Sequence, residues 1–181
     1  AMSPRAGNEA GFSLVESVVA VGILGVGLLA VAAGFLQGLS QIKGSNFDIL
    51  AREKAAEAIE SVFTARDTRT ILWAQIKNIE GESGTDGGIF ADGGQPMHTA
   101  GVDGLVNTAD DSETIESIVQ PGTDGLLGTA DDVVQPLANF TREVEIREVS
   151  PTLRELRVII RYTVGSDNRE FVLATYISSY A

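Results

Sequence analysis

The stretch "GFSLVESVVAVGILGVGLLAVAAGFLQGLS", residues 11–40, decides the fold of this 181-residue chain. It carries a single charged residue, Glu16, and the next charge is Lys43. As a helix, residues 18–36 would be about 28 Å long, close to the ~30 Å hydrocarbon layer of a bilayer. A carboxylate in a membrane-length helix is energetically costly, so its presence indicates that Glu16 has a function or an interaction partner.

This apolar stretch fits a retained membrane span better than a secretory signal peptide. A signal peptide has a basic start, a shorter apolar core and a small-residue cleavage site behind that core. Here Arg5 is the only early base, and the apolar run continues into further helical sequence. We therefore expect the segment to stay in the protein as a membrane anchor.

The helical period continues beyond Lys43, now with one apolar face. Apolar residues recur three or four positions apart, with charged residues between them: Phe47, Leu50, Ala51, Ala55, Ala58, Ile59 and Val62. No proline lies in residues 12–65, so the pattern predicts one continuous helix of about 54 residues. Asp67 or Thr68 is expected to cap a short following helix at residues 70–78.

The C-terminal quarter of the chain has the two-residue period of strands. Residues 139–149, 155–164 and 169–180 alternate apolar and polar side chains, and turn-forming residues lie between them. Three such strands form an antiparallel meander that can cover the amphipathic part of the helix. The predicted fold class is therefore α+β, with a long N-terminal helix packed on a three-stranded antiparallel sheet and an acidic, glycine-rich insert between them.

The negative charge of the chain is concentrated in this insert. Residues 78–136 contain twelve acidic residues and no Lys or Arg, which leaves 13 acidic and 13 basic residues elsewhere. Such a segment repels nucleic-acid phosphates and attracts cations. The chain has no cysteine, which excludes disulfides and thiolate chemistry.

The insert contains an internal repeat, "AGVDGLVNTADD" at 100–111 and "PGTDGLLGTADD" at 121–132, identical at eight of twelve positions. Carboxylates, flexible glycines and backbone carbonyls suit Ca²⁺, although the spacing is not that of an EF-hand. A solvated acidic loop without metal is the alternative. The expected calcium ligands are Asp103, Asp110, Asp111, Asp124, Asp131 and Asp132.

The junction "GFSLVE", residues 11–16, followed by about twenty apolar residues and a long helix, resembles the class III leader junction of type IV pilins and type II secretion pseudopilins. The resemblance implies that a prepilin peptidase cleaves after Gly11 and that Phe12 becomes N-methylated. It implies that Glu16 neutralises the N-terminal amine of a neighbouring subunit. The stretch "ILGVGLLAVAAGFLQ", residues 23–37, is most similar to PilV-type minor pilins and related minor pseudopilins.

The resemblance also implies an organisation and a location. Residues 1–11 would be the leader, 12–40 the membrane and assembly helix, 41–66 its amphipathic half, 67–137 the short helix and insert, and 138–181 the meander. The expected partners are other pilins or pseudopilins of the same filament, prepilin peptidase, the inner-membrane assembly platform and the membrane itself. The chain would lie in the inner membrane with a periplasmic domain before assembly, and then in a pilus or pseudopilus.

Two functions from different classes follow from these patterns. The first is a structural filament subunit, and the second is a membrane-anchored domain that binds calcium or another ligand and never polymerises. An enzyme is not expected, because the sequence shows no nucleophile elbow, P-loop or dinucleotide fingerprint and has His98 as its single histidine.

Overall fold

The computed structural model describes residues 13–81 and 86–180. This part of the chain divides after Ile42 into two units. The regular elements are α1 (Leu14–Asp67), β1 (Gln95–Pro96), β2 (Ser117–Gln120), β3 (Val133–Pro136), β4 (Phe140–Ser150), β5 (Leu153–Val164) and β6 (Asp167–Ser178). The fold is α+β, a long N-terminal apolar helix followed by an antiparallel sheet.

The second unit begins with the amphipathic half of α1, which packs on the sheet as the sequence predicts. Ala51, Ala55, Ala58 and Val62 are at most 2% exposed, and their spacing of three or four residues places them on one helix face. These alanines belong to the same buried cluster as larger side chains of the strands, such as Leu156 and Ile160. The helix in this unit is held by its apolar face.

The main sheet has the strand order β1-β4-β5-β6, with all neighbours antiparallel. The predicted meander corresponds to β4, β5 and β6, and the two-residue strand β1 adds a fourth member. Along β5, Leu156, Val158 and Ile160 are fully buried, which identifies the even-numbered side chains as the inner face. The period of two therefore assigned both the strands and their faces correctly.

The predicted short helix at residues 70–78 is wrong, since only one turn of 3-10 helix forms, at Trp73–Gln75. The guanidinium of Arg154 donates hydrogen bonds to the carbonyls of Trp73 and Ile76, so these carbonyls do not serve a longer helix. The same guanidinium lies over the Trp73 ring, 4.1 Å from its centroid. A buried cation on the sheet thus ends this helical segment.

The proposed caps of that short helix are wrong too. Asp67 is the last residue of α1, and the Thr68 hydroxyl donates back to the Thr64 carbonyl at 2.7 Å. Both residues therefore complete the preceding helix and do not start a new one.

Two asparagine side chains attach the insert to the outer edge of β4. The Asn78 amide donates to the Val144 carbonyl at 2.7 Å and accepts the Ile146 N–H at 2.8 Å. Asn107 donates in the same way to the carbonyl of Arg142, at 2.7 Å. Each amide satisfies backbone groups that a neighbouring strand would otherwise pair, so the edge of the sheet is closed without a full strand.

The buried apolar residues described here all lie between Leu50 and Ile177. All of them except Ile159 form one cluster that includes the helix, the sheet and the insert. A fragment of residues 43–181 therefore contains this entire core, and we expect it to fold without the apolar half of α1.

Candidate functional site

The N-terminal part of α1 presents an apolar surface with one carboxylate. Glu16 lies in the first helical turn and its side chain is exposed. The unpaired N–H groups at a helix N-terminus carry partial positive charge, which favours a carboxylate there. The exposed large apolar side chains of this segment are Leu14, Val15, Val18, Val19, Val21, Ile23, Leu24, Val26, Leu28, Leu29, Val31, Phe35, Leu36 and Leu39.

By length and composition, α1 can cross a membrane. Its most apolar 18-residue window has a mean hydropathy of 2.5, and no part of that window is buried in the structure. A Cβ added at Gly22, Gly25, Gly27 or Gly34 would meet no atom within 4 Å. Contacts with the described residues therefore do not explain these glycines, whereas close approach of another helix would require small residues.

The first loop of the insert, residues 100–111, is a compact turn built around carboxylates. The Asp103 N–H donates to Asp110 Oδ2 at 3.2 Å, and the Leu105 N–H donates to Asp103 Oδ1 at 2.8 Å. The Thr108 hydroxyl donates to Asp110 Oδ1 at 2.8 Å. The three aspartates predicted for this repeat therefore lie in one loop, where backbone N–H and hydroxyl groups surround their oxygens.

The second loop, residues 121–132, repeats these hydrogen bonds at the equivalent positions. The Asp124 N–H donates to Asp131 Oδ2 at 3.2 Å, the Leu126 N–H to Asp124 Oδ1 at 2.8 Å, and the Thr129 hydroxyl to Asp131 Oδ1 at 2.8 Å. The sequence repeat is thus also a structural repeat. The two groups of aspartates belong to separate loops and do not form one six-carboxylate site.

The glycines shared by the two repeats have a steric reason. A Cβ on Gly101 would lie 2.3 Å from the Asp110 carbonyl oxygen, and one on Gly122 would lie 2.2 Å from that of Asp131. Gly104 and Gly125 both have a φ of +71°, where other residues are strained. Tight turn formation therefore explains two of the eight identical positions.

The carboxylates of the loops differ in their proton affinity. Hydrogen bonds from Thr129, Thr123 and the Asp124 N–H lower the pKa of Asp131 to about 2. The Thr108 hydroxyl likewise lowers the pKa of Asp110. Burial raises the pKa of Asp111.

Within residues 13–81 and 86–180, no group of three or more His, Asp or Glu side chains is arranged to hold a metal ion. The carboxylate oxygens of the two loops instead accept hydrogen bonds from their own backbone. The six predicted calcium ligands lie three to a loop in two separate loops, and calcium binding stays a prediction.

A buried ionic network that sequence reasoning missed joins the helix, the insert and the sheet. Arg142 is 1% exposed and donates to Glu116 Oε1 at 2.9 Å and to the His98 carbonyl at 3.1 Å. Lys54 Nζ lies 2.8 Å from the other oxygen of Glu116. Burial disfavours the charge of Lys54, but the pairs with Glu116 and Glu57 more than offset it and raise the pKa of Lys54. The signal in the sequence was the arginine itself, which lies at an inward-facing position of β4.

A family model of the prokaryotic N-terminal methylation motif matches residues 7–32. This range contains Gly11 and Phe12, which lie outside the described residues, and Glu16, which lies in the first turn of α1. The match indicates a type IV pilin-like leader and a substrate of prepilin peptidase, from a class of proteins that is in general structural. Neither a curated protein nor a solved structure matches the chain significantly.

Proposed function

We propose that this chain is a PilV-type minor pilin or a minor pseudopilin, a structural subunit of a type IV pilus or type II secretion filament. The observation that carries the proposal is Glu16, the single acid of the exposed apolar segment of α1, which begins inside the matched motif. In a bundle of such helices, a carboxylate in low dielectric is strongly penalised unless it meets an amine. Its partner would be the free N-terminal amine of Phe12 on a neighbouring subunit.

In this proposal, prepilin peptidase cleaves between Gly11 and Phe12 and the new N-terminus is methylated. The subunit waits in the inner membrane, with residues 43–181 in the periplasm, and is then added to the filament by the assembly platform. Exposed glycines at positions 22, 25, 27 and 34 would let neighbouring helices pack closely.

The test is the substitution Glu16→Ala in the full chain, in cells that assemble the filament. We expect the variant to fold, to insert and to lose its leader, but to be reduced in sheared filaments by about tenfold, as befits a lost charge pair of roughly 1.4 kcal/mol. The matched control is Glu53→Ala, which removes an exposed glutamate from the part of α1 beyond the apolar segment. Normal incorporation of Glu16→Ala would overturn the proposed role.

Processing separates this function from the non-polymerising membrane anchor. When the chain is coexpressed with prepilin peptidase, mass spectrometry should find Phe12 as a methylated N-terminus in both wild type and Glu16→Ala. An intact leader in native cells would favour the anchor and contradict the filament subunit.

As a second function, we propose that the two loops of the insert bind Ca²⁺ and that the ion stabilises the domain. The support is the repetition of one loop structure with aspartates at the same three positions and no Lys or Arg within either repeat. The ligands would be Asp103, Asp110 and Asp111 in one loop and Asp124, Asp131 and Asp132 in the other, with backbone carbonyls completing the shells. These are the hard oxygen donors that Ca²⁺ takes.

Melting of the fragment 43–181 in EDTA and in excess calcium tests this second function. An ion that binds only the folded state adds about 2.7 kcal/mol when its free concentration is 100 times Kd. The double variant Asp110→Asn and Asp131→Asn should lose the calcium effect, while Asp167→Asn on β6 should keep it. Coincident wild-type melting curves, with no heat of binding by calorimetry, would contradict calcium binding.

A further inference from the structure

The main sheet has two edges, and the chain covers them differently. At the β4 edge, the short strand β1 and the side-chain amides of Asn78 and Asn107 bind the backbone. At the opposite edge, no strand within the described residues pairs with the outer side of β6. β6 has 12 residues, Asp167–Ser178, which is about twice the usual strand length. An open edge of this length presents a row of backbone donors and acceptors to another strand.

The even-numbered residues of β6 direct their backbone groups away from β5. The Ser179 N–H donates to the Thr152 carbonyl at 2.9 Å, and these two residues continue the register of β6 with β5, so the odd-numbered residues bond to β5. The Ser178 carbonyl accepts a hydrogen bond from Arg66 at 3.0 Å, which occupies one end of the edge. At the centre of the edge, the outward backbone groups belong to Val172, Ala174 and Tyr176.

The second half of β6 lacks the features that protect edge strands, namely charges, proline and bulges. Residues 171–178, FVLATYIS, contain no charged residue, glycine or proline, and their register with β5 has no irregularity. On the inner face, Phe171 and Leu173 are only partly buried, whereas Leu156 and Val158 of the neighbouring strand are fully buried. A further strand at this edge would cover the partly buried apolar side chains.

This edge is complementary to itself. When two copies are placed antiparallel with Ala174 opposite Ala174, Val172 of each copy lies opposite Tyr176 of the other. A β-branched residue opposite an aromatic residue is a favourable cross-strand pair. On the inner face, the same register places Phe171 opposite Ile177, so an apolar side chain meets an apolar side chain there too.

The charges of β6 select this register among the alternatives. With Ala174 on the axis, Arg169 and Glu170 both lie opposite serines, and no charge faces a like charge. An axis at Leu173 would instead place Arg169 opposite Ile177, which is fully buried. An axis at Glu170 would place two glutamates opposite each other, which is destabilising.

We propose that the open edge of β6 pairs antiparallel with the same edge of a second copy of this chain, so that the two main sheets join across a two-fold axis at Ala174. Only an extended polypeptide supplies backbone donors and acceptors at the spacing of a strand, which excludes a lipid surface as the occupant. Self-complementarity selects a second copy over a strand of another protein. The contact is isologous and therefore closes at the dimer.

The inference goes beyond the proposed filament role. The edge belongs to residues 43–181 and involves neither Glu16 nor the leader. Pairing through β6 would join two copies by their domains, whereas the proposed filament contact joins apolar helices.

Disulfide trapping in the full-length chain tests the register, because the chain has no cysteine of its own. Opposite residues of a hydrogen-bonded antiparallel pair have Cα atoms about 5.5 Å apart, within the reach of a disulfide. We expect Ala174→Cys to form a linked dimer when membranes are oxidised with diamide. Val172→Cys should give about tenfold less, since its two copies would lie four residues apart along the strands, about 13 Å. Differently tagged copies carrying Val172→Cys and Tyr176→Cys should restore trapping.

A second measurement isolates the backbone contribution. Tyr176→Pro removes an outward N–H and leaves the bonds to β5 in place, whereas the matched control Tyr176→Thr keeps this N–H. Added to the Ala174→Cys chain, the proline variant should lower the dimer yield about tenfold relative to the threonine variant, because the two-fold axis removes one hydrogen bond on each side. Resistance to trypsin verifies that both variants are folded, and the cysteine pattern decides alone if the proline variant is not.

Each result decides the proposal. A dimer with Ala174→Cys and with the mixed pair, but not with Val172→Cys alone, supports it. Equal trapping through Ala174→Cys and Val172→Cys, trapping on a different protein, no trapping, or equal yields from the folded proline and threonine variants would overturn it.

The substitution Glu16→Ala in the Ala174→Cys chain separates this contact from the proposed filament role. The yield of the dimer should be unchanged, because Glu16 does not take part in the contact. A yield that falls with Glu16→Ala would assign the contact to assembly of the apolar helices and overturn pairing through β6.

Discussion

At the scale of single residues, Arg142 shows how a charge is accommodated in the core of this protein. Its guanidinium donates to Glu116 and to the His98 carbonyl, and its Nε donates to Asn107 Oδ1 at 2.9 Å. Burying an arginine without such partners would cost several kcal/mol. The alternating pattern of β4 placed Arg142 on the inner face, but the pattern alone did not identify which distant residues would meet it.

The residues of the two loops could be predicted as a group, because the repeat made their equivalence visible. Their hydrogen bonds could not, since these depend on backbone turns that a spacing of seven residues does not determine. Glu116 illustrates the same limit. It was counted among acids without a local counter-charge, and its partners Arg142 and Lys54 come from outside the acidic segment.

We predict that Thr129→Val raises the pKa of Asp131 from about 2 towards its ordinary value of 3.8, because the largest cause of the lowered value is the Thr129 hydroxyl. A carbon-detected NMR titration of the fragment 43–181 measures this directly. The control, Thr163→Val on β5, removes an exposed hydroxyl that does not contact the loop. An unchanged Asp131 titration in Thr129→Val would contradict the assignment.

The sign of the pH effect follows from the same hydrogen bonds. Because the folded-state pKa of Asp131 lies below its unfolded value, the stability it contributes is present above pH 3.8 and is lost as the pH falls through about 2. Thr129→Val should move the lower end of this pH range, about 2, up towards 3.8. Acid unfolding of the two proteins between these pH values is the measurement.

At the scale of elements, sequence periodicity predicted the long helix and the three meander strands. It failed where a distant side chain binds the backbone of a segment. The bounds of α1 and of the three meander strands agree with the predicted ranges to within about two residues. The segment at residues 70–78 did not become a helix, because Arg154 on β5 takes its carbonyls. The hairpin β2–β3 was not predicted, since its four-residue strands lie inside a segment that had the composition of a loop.

We predict that Val158→Asp unfolds the second unit at room temperature or lowers its stability by about 4 kcal/mol or more, because it buries an unpaired charge. Val158 is fully buried on the inner face of β5. The matched control is Val149→Asp on β4, where the valine is 55% exposed, and it should cost about 0.5 kcal/mol or less. Equal melting temperatures for wild type and Val158→Asp in the fragment 43–181 would contradict the assignment of faces.

At the scale of the whole molecule, exposed and buried apolar side chains are distributed unequally along the chain. The large apolar side chains described for the first unit are exposed, and the buried apolar residues all lie in the second unit. The sequence predicted this division from hydropathy, because a helix that is apolar on all sides needs a cover from outside its own chain. It could not predict which of the two repeats would be buried, since the repeats differ at only four of twelve positions.

The segregation of charge along the chain has a consequence for proteolysis. Trypsin cuts after lysine and arginine, and neither occurs between Lys77 and Arg142. Tryptic digestion of the unfolded chain therefore leaves residues 78–142 as one peptide, which contains both repeats, both asparagine anchors of the β4 edge and Glu116. In the folded domain Arg142 is buried, which protects the cut at its end. A protease specific for glutamate can cut inside this peptide, at Glu80, Glu82, Glu113 and Glu116, so its cuts report on the folded state of the insert itself, whereas trypsin has no site within residues 78–141.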